Sequence, residues 1–323
     1  MRAASPDERR VAAARRARHE SPVASLTIGI DLGGTKIEGI LLDSEGRVKE
    51  RERIPTEQAG GYAHILARIV SLVRSLENAA GSSGLALGIG TPGSLSARDG
   101  RLKNSNTRCL NGQPIRQDLE DLLARSIRIE NDANCFALAE ARLGAGRDAS
   151  CVFGVILGTG VGGGIVIGGE LRTGPQHIAG EWGHHVIDAQ GPPCYCGARG
   201  CVEALLSGPA FAAAHRATGG SEDDAPSIVA AARSGDPRAS RSLEAWLTLY
   251  GRAMANLITI LDPDAVVLGG GLSQIDELYT RGRDAVAAAI FNDELRTPIR
   301  RHELGDSAGV IGAALLASPP LNR

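Results

Sequence analysis

The sequence predicts an α/β protein of two lobes, and three observations carry that expectation. The chain has 323 residues, more than one hydrophobic core usually serves. A run of three strands followed by mixed helices and strands occurs twice along it. Its 42 glycines gather at a few places where strands must turn.

The first run opens with LTIGIDL (26–32), a strand entering a Gly-Gly turn, and continues through the alternating KIEGILLD (36–43) and RVKERERI (47–54). Ile65, Ile69, Leu72, Val73 and Leu76 recur at helical spacing over 61–79. LALGIG (85–90) reads as a buried strand, DLEDLLARS (118–126) as a short helix and IRIE (127–130) as a strand. ANCFALAEARLG (133–144) then reads as a helix that Gly144 can close. The second run comprises CVFGVILGTG (151–160), GGGIVIGGEL (162–171) and a third strand expected near HHVID (184–188). Helices follow at about 208–218, 226–233 and 237–261, then a strand at 264–273 and a helix at 276–290. A last strand is expected at 298–304 and a terminal helix at 306–317. This is a duplicated fold and not a short-period repeat.

Composition excludes several classes of partner. A net charge of −2 gives no electrostatic case for nucleic acid or a membrane surface, and 3% aromatic content leaves no base-stacking surface. No apolar run has the length of a transmembrane helix. The first 25 residues are rich in Arg and Ala and lack the apolar core of a secretory signal, so they read as a disordered tail of a cytoplasmic protein or as a start codon called too early, with a transit peptide as the weaker alternative. Of six cysteines, Cys109, Cys135 and Cys151 stand alone. Cys194, Cys196 and Cys201 fall within eight residues, which suggests metal binding and not a disulfide framework.

Two glycine motifs invite a nucleotide reading, and context decides both. Gly158-Thr-Gly160-Val-Gly-Gly163 fits G-x-G-x-x-G, but the β-branched GIVIGGEL that follows makes a hairpin where a dinucleotide fold needs a helix. Gly29 to Gly34 resembles the start of a P-loop, yet Thr35-Lys36 stand in the reverse of the required order and again a strand follows. What remains is two glycine hairpins, each opening one lobe. Turns without side chains let backbone N–H groups approach an anion closely, so two facing turns can clamp a polyphosphate. The alternative is a pair of tight hairpins and nothing more. Polar neighbours favour the clamp: Asp31 for Mg²⁺ through water, Thr35 and Thr159 for phosphate oxygens, with Gly33, Gly34 and Gly160 supplying backbone. Lys36 is a further charge there or simply a solvated lysine. Gly269, Gly270 and Gly271 follow a buried strand and suit the close approach of a flat nucleoside.

Taken in order, IGIDLGGTKIEG (28–39), GIGTPG (88–93), ENDANCFALAEA (130–141), GVILGTGVGGG (154–164), GEWGHH (180–185), CYCGARGCVE (194–203) and PDAVVLGGGLS (263–273) resemble the ROK family of sugar kinases and repressors. The resemblance covers the chain from residue 26 to its end. It implies the two-lobed actin-like/hexokinase (ribonuclease H-like) ATPase fold with a cleft between the lobes. A small domain would span 26–140, with a C-terminal helix at about 306–323 packing back on it. A large domain would span 141–305 and carry a zinc loop at 184–203. The implied activity is transfer of the γ-phosphoryl group of ATP to a hexose, with ATP and Mg²⁺ as cofactors and a homodimer or homotetramer as the assembly. Only about 26 residues precede the first glycine strand, too few for the DNA-binding domain of a ROK repressor. KNSNTRCLNGQPI (103–115) and TPIRRHELGDSAGVIGAALL (297–316) look most like bacterial fructokinases of the manno(fructo)kinase type. ENDANCFALAEA is equally like bacterial N-acetylglucosamine kinases. Fructose is therefore the expected sugar, with an N-acetylglucosamine or glucose kinase as the alternative and a non-catalytic sugar-sensing regulator as the alternative of another class.

Asp132 is the candidate general base, since a carboxylate at a strand–helix junction can take the hydroxyl proton in a cleft. On residue type alone it is equally well a helix N-cap, and the resemblance tips the balance to the base. Asn131 would then hold a neighbouring sugar hydroxyl. His184, Cys194, Cys196 and Cys201 offer one imidazole and three thiolates, a closed set for structural zinc. Redox or inert thiols are the alternative. The resemblance selects His184 over His185 as the ligand, and its other ring nitrogen would serve the sugar. It also implies that Glu181 and Glu203 accept hydrogen bonds from sugar hydroxyls, with Asn106 and the Pro92-Gly93 turn completing the wall. Trp182 is expected to pack.

Overall fold

The computed structural model describes residues 26–318, so the expectations for the first 25 residues and for 319–323 lie outside the described residues. Two five-stranded sheets carry the chain, and both are built in the same order. In the first, β1 (Thr27–Leu32), β2 (Lys36–Leu42) and β3 (Val48–Pro55) form an antiparallel meander. Strands β4 (Ala86–Thr91) and β7 (Arg128–Asn131) add in parallel on the far side of β1, giving β3-β2-β1-β4-β7. A two-stranded hairpin, β5 (Ser94–Leu95) with β6 (Leu102–Lys103), lies between them in sequence. In the second sheet β8 (Cys151–Leu157), β9 (Val161–Ile167) and β10 (Glu170–Arg172) form the meander. Parallel β11 (Ala265–Gly269) and β12 (Ile299–Arg301) extend it as β10-β9-β8-β11-β12.

Helix α1 (Gly61–Ala80) covers the first sheet. All five residues that set its period, Ile65, Ile69, Leu72, Val73 and Leu76, are buried. Each contributes roughly 1.5–3 kcal/mol by leaving water. Helix α2 (Ile115–Leu123) closes the same core. Helix α3 (Asp132–Arg142) leads from the first sheet into the second. Helices α4 (Val202–Leu206), α5 (Gly208–Ala217), α6 (Ala225–Arg233), α7 (Pro237–Leu261) and α8 (Arg281–Ala289) surround the second core. Side-chain caps fix the starts of α5 and α7: Ser207 accepts from the N–H of Ala210, and Asp236 from those of Arg238 and Ala239.

The two sheets are joined by a third core, in which α3 and the terminal helix α9 (Ala308–Ala317) pack together with Ile40 and Leu42 on one side and Val152 and Val267 on the other. The approach is very close. A Cβ at Gly312 would lie 1.8 Å from the carbonyl of Cys135, and one at Gly88 would lie 1.8 Å from that of Ala313. Only glycine lets these backbones touch. Helix α9 is thus seated on β1, β4 and α3 at once.

The structure departs from the expected elements in a few places. The third strand of the second meander is β10 and not a segment near 184–188. Gly168 and Gly169, both with positive φ (60° and 80°), turn β9 straight back into it. Residues 184–188 contribute only one isolated bridge, Val186 to Cys201, because the chain there wraps around the cysteine loop. The helix expected at 276–290 is a 3₁₀ turn, Asp276–Leu278, followed by α8, with the break at Thr280. Among the described residues no helix is long and apolar enough to cross a membrane.

Candidate functional site

Both glycine motifs are antiparallel hairpins, as the strands after them require. In the first, the Gly33 N–H donates to the Lys36 carbonyl at 3.0 Å, and β1 and β2 pair through Leu32 and Ile37. Thr56 Oγ1 donates to the Gly33 carbonyl at 2.7 Å, and Gln58 Nε2 donates to that of Gly34, so the turn is braced from outside. Thr35 and Lys36 are exposed, and Lys36 Nζ lies 3.7 Å from Glu38 Oε2. In the second, Leu157 pairs with Val161 and the Gly158 N–H donates to the Gly160 carbonyl at 2.9 Å. Thr159 is exposed at its tip.

Two cavities meet at this level. One, of about 300 Å³, is lined by Asp31, Asp132, Gly270, Gly271, Gln274 and His302. The other, of about 500 Å³, is lined by Gly158, Thr159, Gly208, Pro209, Arg216 and Gly271, among others. Gly271 belongs to both, so the carboxylates and the second hairpin share one continuous wall. The three glycines after β11 differ in what they do. A Cβ at Gly269 would strike the Phe136 ring, and Gly270 holds φ 79° against the Leu157 carbonyl. Gly271 faces open space.

Asp31 is the penultimate residue of β1 and Asp132 begins α3. Burial, then the charges of Asp132 and Glu38, raise Asp31 from 3.8 to about 6 against a lowering by Lys36. Burial also raises Asp132, opposed by the Ala133 N–H that Oδ1 accepts at 2.9 Å. Asp132 keeps accessible surface because it faces the open cleft, although protein surrounds it on the other sides. Water in the cleft therefore moderates the upward shift. Asn131 caps the helix: its Oδ1 accepts the Asn134 N–H at 2.7 Å. That leaves Asp132 clear of cap duty and Asn131 with its amide nitrogen to offer.

Glu181, His184 and Glu203 lie near one another, and the charge of Asp132 also reaches Glu181. Burial raises Glu181, and the charges that act on it come from His184, Asp132, Lys103 and Glu203. Glu203 Oε2 accepts the Val161 N–H at 2.9 Å, just below Gly160, where a Cβ would lie 2.7 Å from that oxygen. Asn106 is exposed on the loop after β6, and the Pro92-Gly93 turn packs against the backbone of 103–105. Trp182 packs, as expected: it is buried, donates from Nε1 to the Ala253 carbonyl at 3.3 Å and meets Phe153 edge-on.

The ligand atoms of His184, Cys194, Cys196 and Cys201 all lie within 4.8 Å of one another. Cys194 Sγ is 3.6 Å from His184 Nδ1, and Cys196 Sγ is 3.6 Å from Cys201 Sγ. A tetrahedral zinc with Zn–S bonds of about 2.3 Å needs edges of about 3.7 Å, so the donor set fits that ion. Gly197 (φ 94°) and Gly200 (φ 64°) make the turns that fold the loop on itself.

Residues 27–319 match the ROK family. This chain belongs to the ROK family. It is 37% identical over 296 residues to the N-acetylgalactosamine kinase AgaK of Shewanella sp. (strain ANA-3), spanning 89% of this chain and 95% of that protein. It is 38% identical over 298 residues to the N-acetyl-D-glucosamine kinase of Citrobacter koseri, spanning 89% and 98%. Among solved structures it resembles the ROK hexokinase from Thermus thermophilus (34% identity, TM-score 0.82, 90% of this chain and 97% of that one). It also resembles the ROK glucokinase from Streptomyces griseus in complex with glucose and AMPPNP (32% identity, TM-score 0.72, 90% and 99%). The two sheets of this ROK protein are thus the two lobes of the actin-like fold.

Sequence reasoning missed three features of the candidate site. Gln274 and His302 line the smaller cavity, and Tyr195 stands beside His184 with its hydroxyl 3.0 Å from Nε2. Gly208 and Pro209 line the larger cavity at the start of α5. A Gly-Pro pair opening a helix is a legible signal; a tyrosine between two cysteines is not.

Proposed function

We propose that this ROK protein is an ATP-dependent kinase that phosphorylates a hydroxyl of a hexose, with an N-acetylhexosamine as its substrate. One observation supports the kinase reading above the rest: Asp31 and Asp132 line one cavity whose wall, through Gly271, continues past the second glycine hairpin. A polyphosphate spanning these cavities would bring its terminal phosphoryl group toward two carboxylates of different surroundings.

In this reading the nucleoside lies by Gly271 and Pro209, and the phosphates run under the two hairpins. Asp31 is the carboxylate for Mg²⁺, which when bound neutralises charge on the phosphate oxygens. The sugar sits against Glu181, Glu203 and Asn131. Asp132 accepts the proton of the attacking hydroxyl, and the burial that raises its pKa also strengthens it as a base. His184, Cys194, Cys196 and Cys201 hold zinc, which supports the fold of the loop that carries Glu181 and His184. The full-length relatives that act on N-acetylhexosamines move the preferred sugar away from fructose, to which only two segments pointed.

The test is ADP release from MgATP with N-acetylglucosamine, N-acetylgalactosamine, N-acetylmannosamine, glucose, mannose and fructose. An N-acetylhexosamine should give the highest kcat/KM. Asp132→Asn should lower kcat by about 10²–10⁴ with little change in sugar KM, the range of a lost general base. Wild-type kcat should fall as pH drops through the raised pKa of Asp132, since protonation removes the base. Fructose as best substrate would correct the sugar alone. Silence on every sugar from folded, zinc-loaded protein would leave a sugar-sensing regulator.

A further inference from the structure

We propose that Tyr195 is a specificity-setting latch on the sugar pocket: its hydroxyl occupies the hydrogen-bonding nitrogen of His184, and the incoming sugar must displace it. This rests on the kinase reading above. His184 turns Nδ1 toward Cys194 Sγ, which leaves Nε2 as the nitrogen available to the cleft. That nitrogen is already taken, because Tyr195 Oη lies 3.0 Å from it. The two rings also meet edge-on, with centroids 5.1 Å apart and planes at 89°.

The phenol stands on the loop that carries the proposed sugar contacts: Glu181 precedes His184 by three residues, and Glu203 follows Cys201, whose Sγ donates to the His184 carbonyl at 3.5 Å. Tyr195 is nevertheless 71% exposed, so its contacts with His184 are what a swing into solvent has to break. Its backbone is less free. Cys194 and Cys196 flank it and both belong to the Cys/His cluster, so with zinc bound the backbone would be held and the side chain left to move. A rigid hinge, a free side chain and one shared hydrogen-bonding nitrogen make a competitive plug. Substrate then gains the His184 bond only by breaking the one to Tyr195, and its apparent affinity falls by the fraction of molecules in which the plug is in place.

The test uses full-length, zinc-loaded protein. Sugar affinity is measured by calorimetry without nucleotide, and kcat and KM are measured with MgATP, for wild type and Tyr195→Phe. Phenylalanine keeps the ring and removes the competing hydroxyl, and metal content by mass spectrometry checks the loop. The variant should bind its hexose about two- to fivefold more tightly, the worth of one exposed hydrogen bond, with KM falling alike and kcat and the KM for ATP unchanged. In protein labelled with 3-fluorotyrosine, the ¹⁹F resonance that disappears in Tyr195→Phe should shift when sugar saturates the wild type. Unchanged or weaker sugar binding in the variant would overturn the latch, the weaker case making Tyr195 a direct sugar ligand. A Tyr195 resonance that ignores the sugar would overturn it too. A wild type that binds no hexose would sink the latch and the kinase reading together, whereas binding without a gain in the variant would sink the latch alone.

Discussion

Replacing Asp31 by Asn should make the protein more stable and less active. Asp31 titrates near 6 in the folded chain and at 3.8 in a model peptide, a rise caused by burial first and by Asp132 and Glu38 next. A group whose folded pKa is raised favours the fold when protonated. Below the peptide value both states carry the proton and nothing is lost. As pH climbs toward 6 the unfolded chain ionises first, and the folded state is penalised until Asp31 ionises as well. The shift is about two units, and at about 1.36 kcal/mol per unit the penalty approaches 3 kcal/mol above pH 6. At pH 5 roughly half of it has developed. Water in the open cleft lowers the real figure toward 1–2 kcal/mol, so about 3 kcal/mol is a ceiling. Asparagine keeps the shape and discards the charge. Calorimetry without nucleotide should show Tm higher by about 2–6 °C at pH 7.5 in Asp31→Asn, and by about half as much at pH 5. Turnover with MgATP should collapse, because the carboxylate proposed for Mg²⁺ is gone. An Asn variant no more stable than wild type at pH 7.5, or one whose gain is the same at both pH values, would refute the electrostatic argument.

Two further outcomes test the scaffold. Glu140 is fully buried and its carboxylate accepts the N–H groups of Ala145 (2.8 Å), Glu303 (3.1 Å) and Leu304 (2.9 Å), tying the end of α3 to the segment before α9. Glu140→Ala removes the acceptor of three N–H groups, one buried and two partly buried, and should cost about 2–3 kcal/mol in urea unfolding, with Glu140→Gln costing less. Purified wild type should carry one zinc per chain by mass spectrometry, and Cys201→Ser should lose the metal and several degrees of Tm. Full occupancy in that variant would remove Cys201 from the ligand set.

The duplicated order was legible because alternation and glycine turns are local signals, and the two meanders carry both. Strand β10 was misread because three residues after a Gly-Gly turn offer too short a pattern, while Val186 and Ile187 imitate an alternating strand inside a loop shaped by the cysteines. At Asn131-Asp132 two good capping residues stand side by side, and sequence cannot say which one caps. The answer lies in the φ/ψ of Asn131 (−72°, 162°) and its bond to Asn134, and it leaves Asp132 free for the cleft. The Cys/His cluster was legible in its membership because ligand type and spacing are written in the chain. Gln274 and His302 were not, since their significance comes from elements far apart in sequence that the fold brings to one cavity, and Tyr195 was not because nothing in residue type or spacing aims its hydroxyl at His184, 11 residues away.

Glu203 connects the two halves of the proposed reaction. Its Oε2 is committed to the Val161 N–H at the first residue of β9, immediately after the glycine turn, and the side chain lies directly under Gly160. Its other oxygen is the one left for a sugar hydroxyl. In the proposed reaction a sugar bound there would restrain the same side chain that braces the second hairpin, and order gained in the sugar site would pass to the phosphate site without any large movement. The brace is tight, since a methyl group at position 160 would have to displace the carboxylate. A kinase has reason to be built this way. Water is always present as a competing nucleophile, and in the proposed reaction a brace strengthened further by the bound sugar would make phosphoryl transfer to water the slower reaction.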